Sequence, residues 1–206
     1  MTDWPEQRLM PPDPDRYTDL QRQAHDAFAN SPRSGVRGPL ALWIHRPELA
    51  LATQQLGSYL RFESSLGPRL TELAIITTAK LWKAEFEWYA HKPLALKHGV
   101  SEQVVEAIRT GTPPDFTDPE EAAVHEFALQ AARDRHVSDA LYDKTLAAIG
   151  QDRLVDLVAL VGYYGFVSLT LNTFNILPPA DAAPPLRRHA ANVATGAAQA
   201  GDTWSA

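Results

Sequence analysis

The chain has 206 residues, with 19 Lys and Arg against 25 Asp and Glu, a net charge of −6 and no cysteine. A chain of that length closes a hydrophobic core without a disulfide or metal staple. The missing cysteine excludes a disulfide framework, a thiolate zinc site, an iron–sulfur cluster and a thiol nucleophile. A mildly acidic chain with no basic block lacks the clustered cations that neutralise a phosphate backbone, so no nucleic-acid partner is expected.

Of the 16 prolines, four fall in residues 1–14 and four in residues 178–206. Residues 1–14 therefore read as an extended segment, 15–177 as one folded domain, and 178–206 as an Ala- and Pro-rich tail, either an arm or disordered. The opening Met-Thr-Asp-Trp-Pro-Glu carries acids where a secretory signal needs positive charge, so a cytoplasmic location is expected.

Within the folded part the apolar period is helical. Tyr17, Leu20, Ala24 and Phe28 mark a first helix; Leu49, Ala52, Leu56, Tyr59 and Leu60 mark the next. Leu70, Leu73, Ile76 and Leu81 follow Gly67-Pro68. Ser101 caps a short helix with Val104, Val105 and Ile108 inward, ending at Gly111. Asp118-Pro119-Glu120-Glu121 joins a cap residue, a first-turn proline and a capping-box Glu. It opens a helix with Val124, Phe127, Ala128 and Ala131 inward, and Ser138 caps another that runs to Gly150. The last helix begins near Gln151 and carries no charge from Leu157 to Ala180. That run is long enough to cross a bilayer, but its glycines, asparagines and prolines and the missing basic flank favour a helix buried on all sides. The expected fold is all-α, a single-domain bundle, with no membrane partner.

Chemistry concentrates between Glu72 and Gly99. Glu87 and His91 stand four residues apart, so on a helix they share a face. The pair is either an ordinary structural contact or a histidine poised to exchange protons near neutral pH. Pro93 cannot donate to the Tyr89 carbonyl, so the helix either tolerates a kink there or bends to turn His91 toward a pocket. Trp88 and Tyr89 either wall that pocket or belong to the core.

The pattern Glu-x-Trp-x-x-His-x-x-x-Ala-x-x-x-Gly, from Glu87 through Trp88, His91 and Ala95 to Gly99, resembles the signature of the carboxymuconolactone decarboxylase and alkylhydroperoxidase-D-like family. Arg46-Pro47-Glu48-Leu49, Leu60-Arg61-Phe62, Arg69-Leu70-Thr71-Glu72-Leu73 and Gly162-Tyr163-Tyr164 with Asn172 agree in order, and the resemblance spans about residues 35–178. It implies a bundle of about six to eight helices that assembles as a trimer or hexamer. In the peroxidase branch of the family a C-x-x-C pair acts with a histidine and an upstream glutamate. Here those positions fall on Ala84, Glu87, His91 and Glu72, so both thiols are gone and thiol–disulfide chemistry with them. The decarboxylase branch carries a glutamate four residues before its histidine, as Glu87 stands here.

The resemblance thus implies a cofactor-free acid–base enzyme with no metal, acting on a small anionic lactone or carbonyl compound by decarboxylation or related proton transfer. A non-catalytic binding protein of the same fold is the alternative; a thiol-independent peroxidase-like protein is a third. His91 is the candidate general acid/base, Glu87 its orienting partner and Glu72 a second relay carboxylate on the preceding helix. An anionic substrate needs a cation, and Arg46 and Arg69 are the candidates, with Lys83 behind them. Trp88, Tyr163 and Asn172 complete the candidate binding set, the last two either lining a pocket or cross-linking the bundle. His45, His98, His125 and His136 are expected at the surface or at helix caps.

Overall fold

Side-chain caps set several of the helix starts. Thr18 opens α1 (Asp19–Ala29) with a reciprocal capping box to Gln21. Proline in the first turn starts α2 (Pro39–Trp43), α3 (Pro47–Ser58) and α4 (Gly67–Leu81). α5 (Glu85–Lys97) follows a sharp turn in which Lys83 adopts a left-handed φ of 53°. Ser101 caps α6 (Glu102–Thr110), and Gly111, at φ 79°, closes it in the left-handed region where a Cβ would be strained. Asp118, at the expected Asp-Pro-Glu-Glu signal, accepts from Glu120 N at 2.8 Å and opens α7 (Pro119–Asp134). Ser138 caps α8 (Asp139–Ile149), and α9 (Gln151–Thr173) closes the bundle. The structure is a computed structural model that describes residues 5–33, 35–179, 182 and 186; among these there are nine α-helices and no strand.

The fold is all-α, as expected, with one more helix than the resemblance implied because the five-residue α2 carries no periodic signal. α4 is its axis: every residue from Leu70 to Ala79 is buried, and the helix packs against α5, α7 and α9. One apolar cluster joins α1, α2, α4, α7 and α9 around Phe28, Trp43, Ile75, Leu157 and Tyr164. A second, smaller one joins the other side of α4 to α5 and α6 through Leu73, Ile76, Trp88, Val105 and Ile108. Leu186, from the tail expected as an arm or disordered, is buried in that second cluster and its N–H donates to Glu85 Oε2 at 2.7 Å. Most of residues 178–206 lies outside the described residues.

Two expectations about faces are corrected. α3 buries Ala50, Thr53 and Gly57; of the periodic residues Leu49, Ala52, Leu56, Tyr59 and Leu60, only Leu60, just past the helix, is buried, while Leu49, Leu56 and Tyr59 are more than 40% exposed. α9 is not buried all round: Val155, Val158, Phe166 and Leu169 form an exposed stripe. α9 is the one described helix long and apolar enough to cross a membrane, and 61% of that stretch is buried within the bundle.

Between α3 and α4 the chain winds through a π-helical turn, Tyr59–Glu63. Asp156 of α9 pins its first residue and the chain just beyond it, accepting from Tyr59 Oη and from Ser65 N and Oγ, each at 2.8 Å. A wider turn of this kind redirects the side chains it carries and recurs at functional sites. Here it points Arg61 inward.

Candidate functional site

Glu87 and His91 lie one turn apart on the buried face of α5, with Glu87 Oε1 2.9 Å from His91 Nε2. Glu72, on the neighbouring α4, places Oε2 2.6 Å from His91 Nδ1. All three residues are at most 5% exposed. Arg61 reaches the other oxygen of Glu72, Nη2 to Oε1 at 3.5 Å. Tyr164 of α9 sets its ring edge-on to the imidazole, with centroids 5.3 Å apart. α5 continues through Pro93, so His91 is aimed by its helix face and by two carboxylates.

Burial opposes a charge on His91, yet the two flanking carboxylates outweigh it and raise the pKa from 6.5 to about 9. At neutral pH the ring is therefore an imidazolium, Nδ1–H donating to Glu72 and Nε2–H donating to Glu87. Burial likewise works against Glu72 ionising, and His91 and Arg61 overcome it, holding its pKa below 4.5. Tyr164, pushed well above the ordinary phenol value by burial, stays neutral.

One end of this string meets a partly open pocket. A cavity of about 190 Å³ is lined by Glu87 and His91, by Tyr163 and Tyr164 of α9, by the apolar side chains of Leu40, Phe86, Leu94 and Val167, and by Arg33, Arg37 and Arg61. Glu72 is not among the lining residues; it sits behind the ring. The arrangement can hold an anion against three cations and exchange a proton with it through the Glu87–His91 end.

The cations expected to serve this site stand elsewhere. Arg46 is exposed at the start of α3 and Arg69 ties α4 to α7, bonding Asp118 at 2.5 Å and Glu121 at 2.9 Å. Lys83 sits in the turn before α5 and does not line the cavity. Trp88 is core in the second cluster. Asn172 is a cross-link, donating to the Trp82 carbonyl at 2.6 Å. Tyr163 does both jobs left open for it: it lines the cavity and donates to the Thr53 carbonyl at 3.1 Å. His45 and His136 are exposed and His98 ends α5, but His125 is buried, against the expectation of a surface or cap position. Its Nδ1 lies 3.0 Å from Thr77 Oγ1, and burial lowers its pKa to about 4. Among the described residues no group of three or more His, Cys, Asp or Glu is disposed to hold a metal.

Sequence reasoning missed Arg33, Arg37 and Arg61 as site residues. Arg61 stands inside the quoted Leu60-Arg61-Phe62 pattern, a signal that was available. Arg33 and Arg37 sit between α1 and α2, where no periodicity marks a direction.

Residues 47–141, which carry Arg61, Glu72, Glu87 and His91, match the sequence model of the carboxymuconolactone decarboxylase family. The match covers a little under half of the chain, and the likeness to that family is carried by these residues. No curated protein matches it. Among solved structures, the chain is similar to an uncharacterised peroxidase-related protein with an alkylhydroperoxidase AhpD core from Ralstonia eutropha JMP134: TM-score 0.70, 19% identity, covering 85% of this chain and 94% of that one. An uncharacterised peroxidase-related protein from Silicibacter sp. TM1040 superposes with a TM-score of 0.71 at 16% identity, covering 91% and 100%. The debrominase Bmp8 in its apo form gives 0.66 at 14%, covering 80% and 88%. At these identities the likeness is one of fold.

Proposed function

We propose that this protein is a cofactor-free acid–base enzyme, similar to carboxymuconolactone decarboxylases, that acts on a small anionic lactone or carbonyl compound by decarboxylation or a related proton transfer. The observation that carries the reading is the buried string Glu72–His91–Glu87, whose Glu87 end opens into an arginine-lined cavity while its Glu72 end is closed. The names of the structural neighbours include peroxidase-related proteins and a debrominase. This chain has no cysteine to run thiol chemistry, which leaves proton transfer as what its residues supply.

In a decarboxylation the bond between the carboxyl carbon and its neighbour breaks, carbon dioxide leaves, and the electron pair passes into an enolate conjugated with the carbonyl. The cavity's arginines hold the developing oxyanion. A proton from the His91–Glu87 end then closes the carbon, and solvent restores it. Because both ring nitrogens are engaged at rest, the proton leaves either through Glu87 or when Glu87 swings off Nε2. Glu72, out of reach of the cavity, acts as a positioning residue that keeps the ring charged and oriented.

The test is carbon dioxide release from a panel of lactone and β-keto carboxylates by the wild-type chain and by His91→Gln. Loss of the proton donor lowers turnover at least ~100-fold; unchanged turnover contradicts the mechanism. A wild-type chain that binds members of the panel and turns over none would instead support the binding-protein reading.

The same reading includes self-assembly as a trimer or hexamer. It is supported by the exposed apolar side chains of α3 and α9, whose stripes approach each other where Tyr59 Oη bonds Asp156 at 2.8 Å.

A further inference from the structure

His91 does not have Glu72 to itself. One oxygen of that carboxylate meets the imidazole, Oε2 2.6 Å from Nδ1, and the other meets Arg61, Oε1 3.5 Å from Nη2. The Arg61 side chain is only 12% exposed, and its guanidinium stays charged. A cation on the far side of Glu72 weakens that carboxylate's hold on the imidazolium, so Arg61 opposes the rise in proton affinity that Glu72 and Glu87 bring about. The other groups facing this string are Tyr163 and Tyr164 of α9, whose hydroxyls burial keeps protonated, and Arg33 and Arg37 on the pocket wall. His98, at the end of α5, also acts on Glu72.

Arg61 owes its position to a turn that is fastened from a distance. It is the third of five residues in the π-helical turn Tyr59–Glu63, which closes with the Ser64 N–H donating to the Tyr59 carbonyl at 2.9 Å. Such turns are rare, and this one leans on a single side chain of α9. Asp156 accepts from Tyr59 Oη and from Ser65 N and Oγ, each at 2.8 Å. It is 6% exposed; burial works against its charge, and these donors outweigh burial and hold its pKa below the ordinary carboxylate value. None of Asp156, Tyr59 and Ser65 is among the lining residues of the pocket.

We propose that Asp156 is a positioning residue for the site: by fastening the π-helical turn to α9 it sets Arg61 against Glu72, and Arg61 there tunes how tightly His91 holds its proton. This rests on the reading of Glu72–His91–Glu87 as the working end of the site, and adds what keeps that end able to release a proton.

The test is side-chain ¹⁵N NMR of His91 in the full chain, titrated in the wild type, Arg61→Gln, Asp156→Asn and the double variant, each checked for native circular dichroism. Arg61→Gln removes the opposing cation and raises the midpoint above the wild-type value near 9, by at least about half a pH unit. Asp156→Asn frees the turn and moves the midpoint the same way. Direct loss of the Asp156 charge would push it down instead, since a carboxylate stabilises an imidazolium. The double variant titrates like Arg61→Gln alone, because both substitutions remove one interaction. Asp152→Asn, at an exposed carboxylate one turn earlier on α9, leaves the midpoint in place. If Asp156→Asn does not fold, Tyr59→Phe with Ser65→Ala removes two of the three bonds from the other side, and the midpoint again rises. A midpoint that does not rise in Arg61→Gln, one that falls or stays in folded Asp156→Asn, or shifts that add in the double variant would each overturn the positioning. Carbon dioxide release does not enter the readout. A chain that shows these shifts and decarboxylates nothing sinks the enzyme reading and leaves the positioning standing; turnover with a midpoint indifferent to Asp156 does the reverse.

Discussion

His91 is an imidazolium held between two carboxylates, and its environment sets a pH window. A histidine whose folded pKa is about 9 against 6.5 when exposed binds a proton more tightly in the folded chain. Its stabilisation is complete below 6.5 and disappears as pH rises through about 9. Glu72 works the other way: with its pKa held below 4.5, its contribution is present above that value and is lost as acid protonates it. Thermal melts of the wild type therefore fall off on the alkaline side between about pH 6.5 and 9, and His91→Gln lacks that decline. An alkaline limb of equal slope in the two proteins would show that His91 is not charged at neutral pH. The Glu87–His91 half of this site was legible, because i,i+4 spacing on a helix forces the two side chains onto one face. The partnership with Glu72 rested on family resemblance alone, since it crosses between two helices. The arginines were misassigned for a physical reason. A charge in a sequence carries no direction, and Arg46 and Arg69 found solvent and α7, while Arg33 and Arg37 reached the cavity from an aperiodic loop.

Caps made the elements readable where a side chain writes the boundary. Asp118-Pro119, Ser101 and Ser138 begin helices where expected, and Gly111 ends one. α3 shows where periodicity failed: a helix with an apolar stripe and a small-residue stripe can bury either, and this one buries Ala50, Thr53 and Gly57. Small residues on that face let Arg33 and Tyr163 approach the helix backbone. Gly57→Ala removes the room they occupy. It destabilises the chain by about 1–3 kcal/mol, the usual range for overpacking, in spite of the better helix propensity of alanine. Urea titration reads the loss, and a neutral or stabilising effect would mean that Arg33 does not need this seat. The π-helical turn after α3 had no sequence signal at all, yet it carries Arg61 into the cavity, with Asp156 fastening it to α9.

On the scale of the whole molecule, the chain exposes more apolar surface than its own fold can use. Leu49 and Leu56 on α3, Tyr59 in the turn after it, and Val155, Val158, Phe166 and Leu169 on α9 are exposed; an apolar period in a sequence does not say whether its stripe is covered by the chain's own fold. Under the proposed assembly, further copies of the chain would cover both stripes and reconcile the apolar period with the exposed faces. Sedimentation velocity on the wild type shows a trimer or hexamer under this account, and Val158→Arg, which puts a charge in the middle of the α9 stripe, shifts it toward monomer. A wild-type monomer at micromolar concentration contradicts the assembly. The bundle itself stays intact in that variant, because Val158 is 56% exposed and takes no part in either core cluster.

The central claim is that Glu72 and Glu87 together hold His91 charged at the cavity wall, and side-chain ¹⁵N NMR of His91 across a pH titration tests it most directly. The account predicts both ring nitrogens protonated at pH 7, a midpoint near 9, and a midpoint moved down toward 6.5 when Glu72→Gln removes one of the two carboxylates. A ring that is a neutral tautomer at pH 7, or a midpoint indifferent to Glu72, would contradict it.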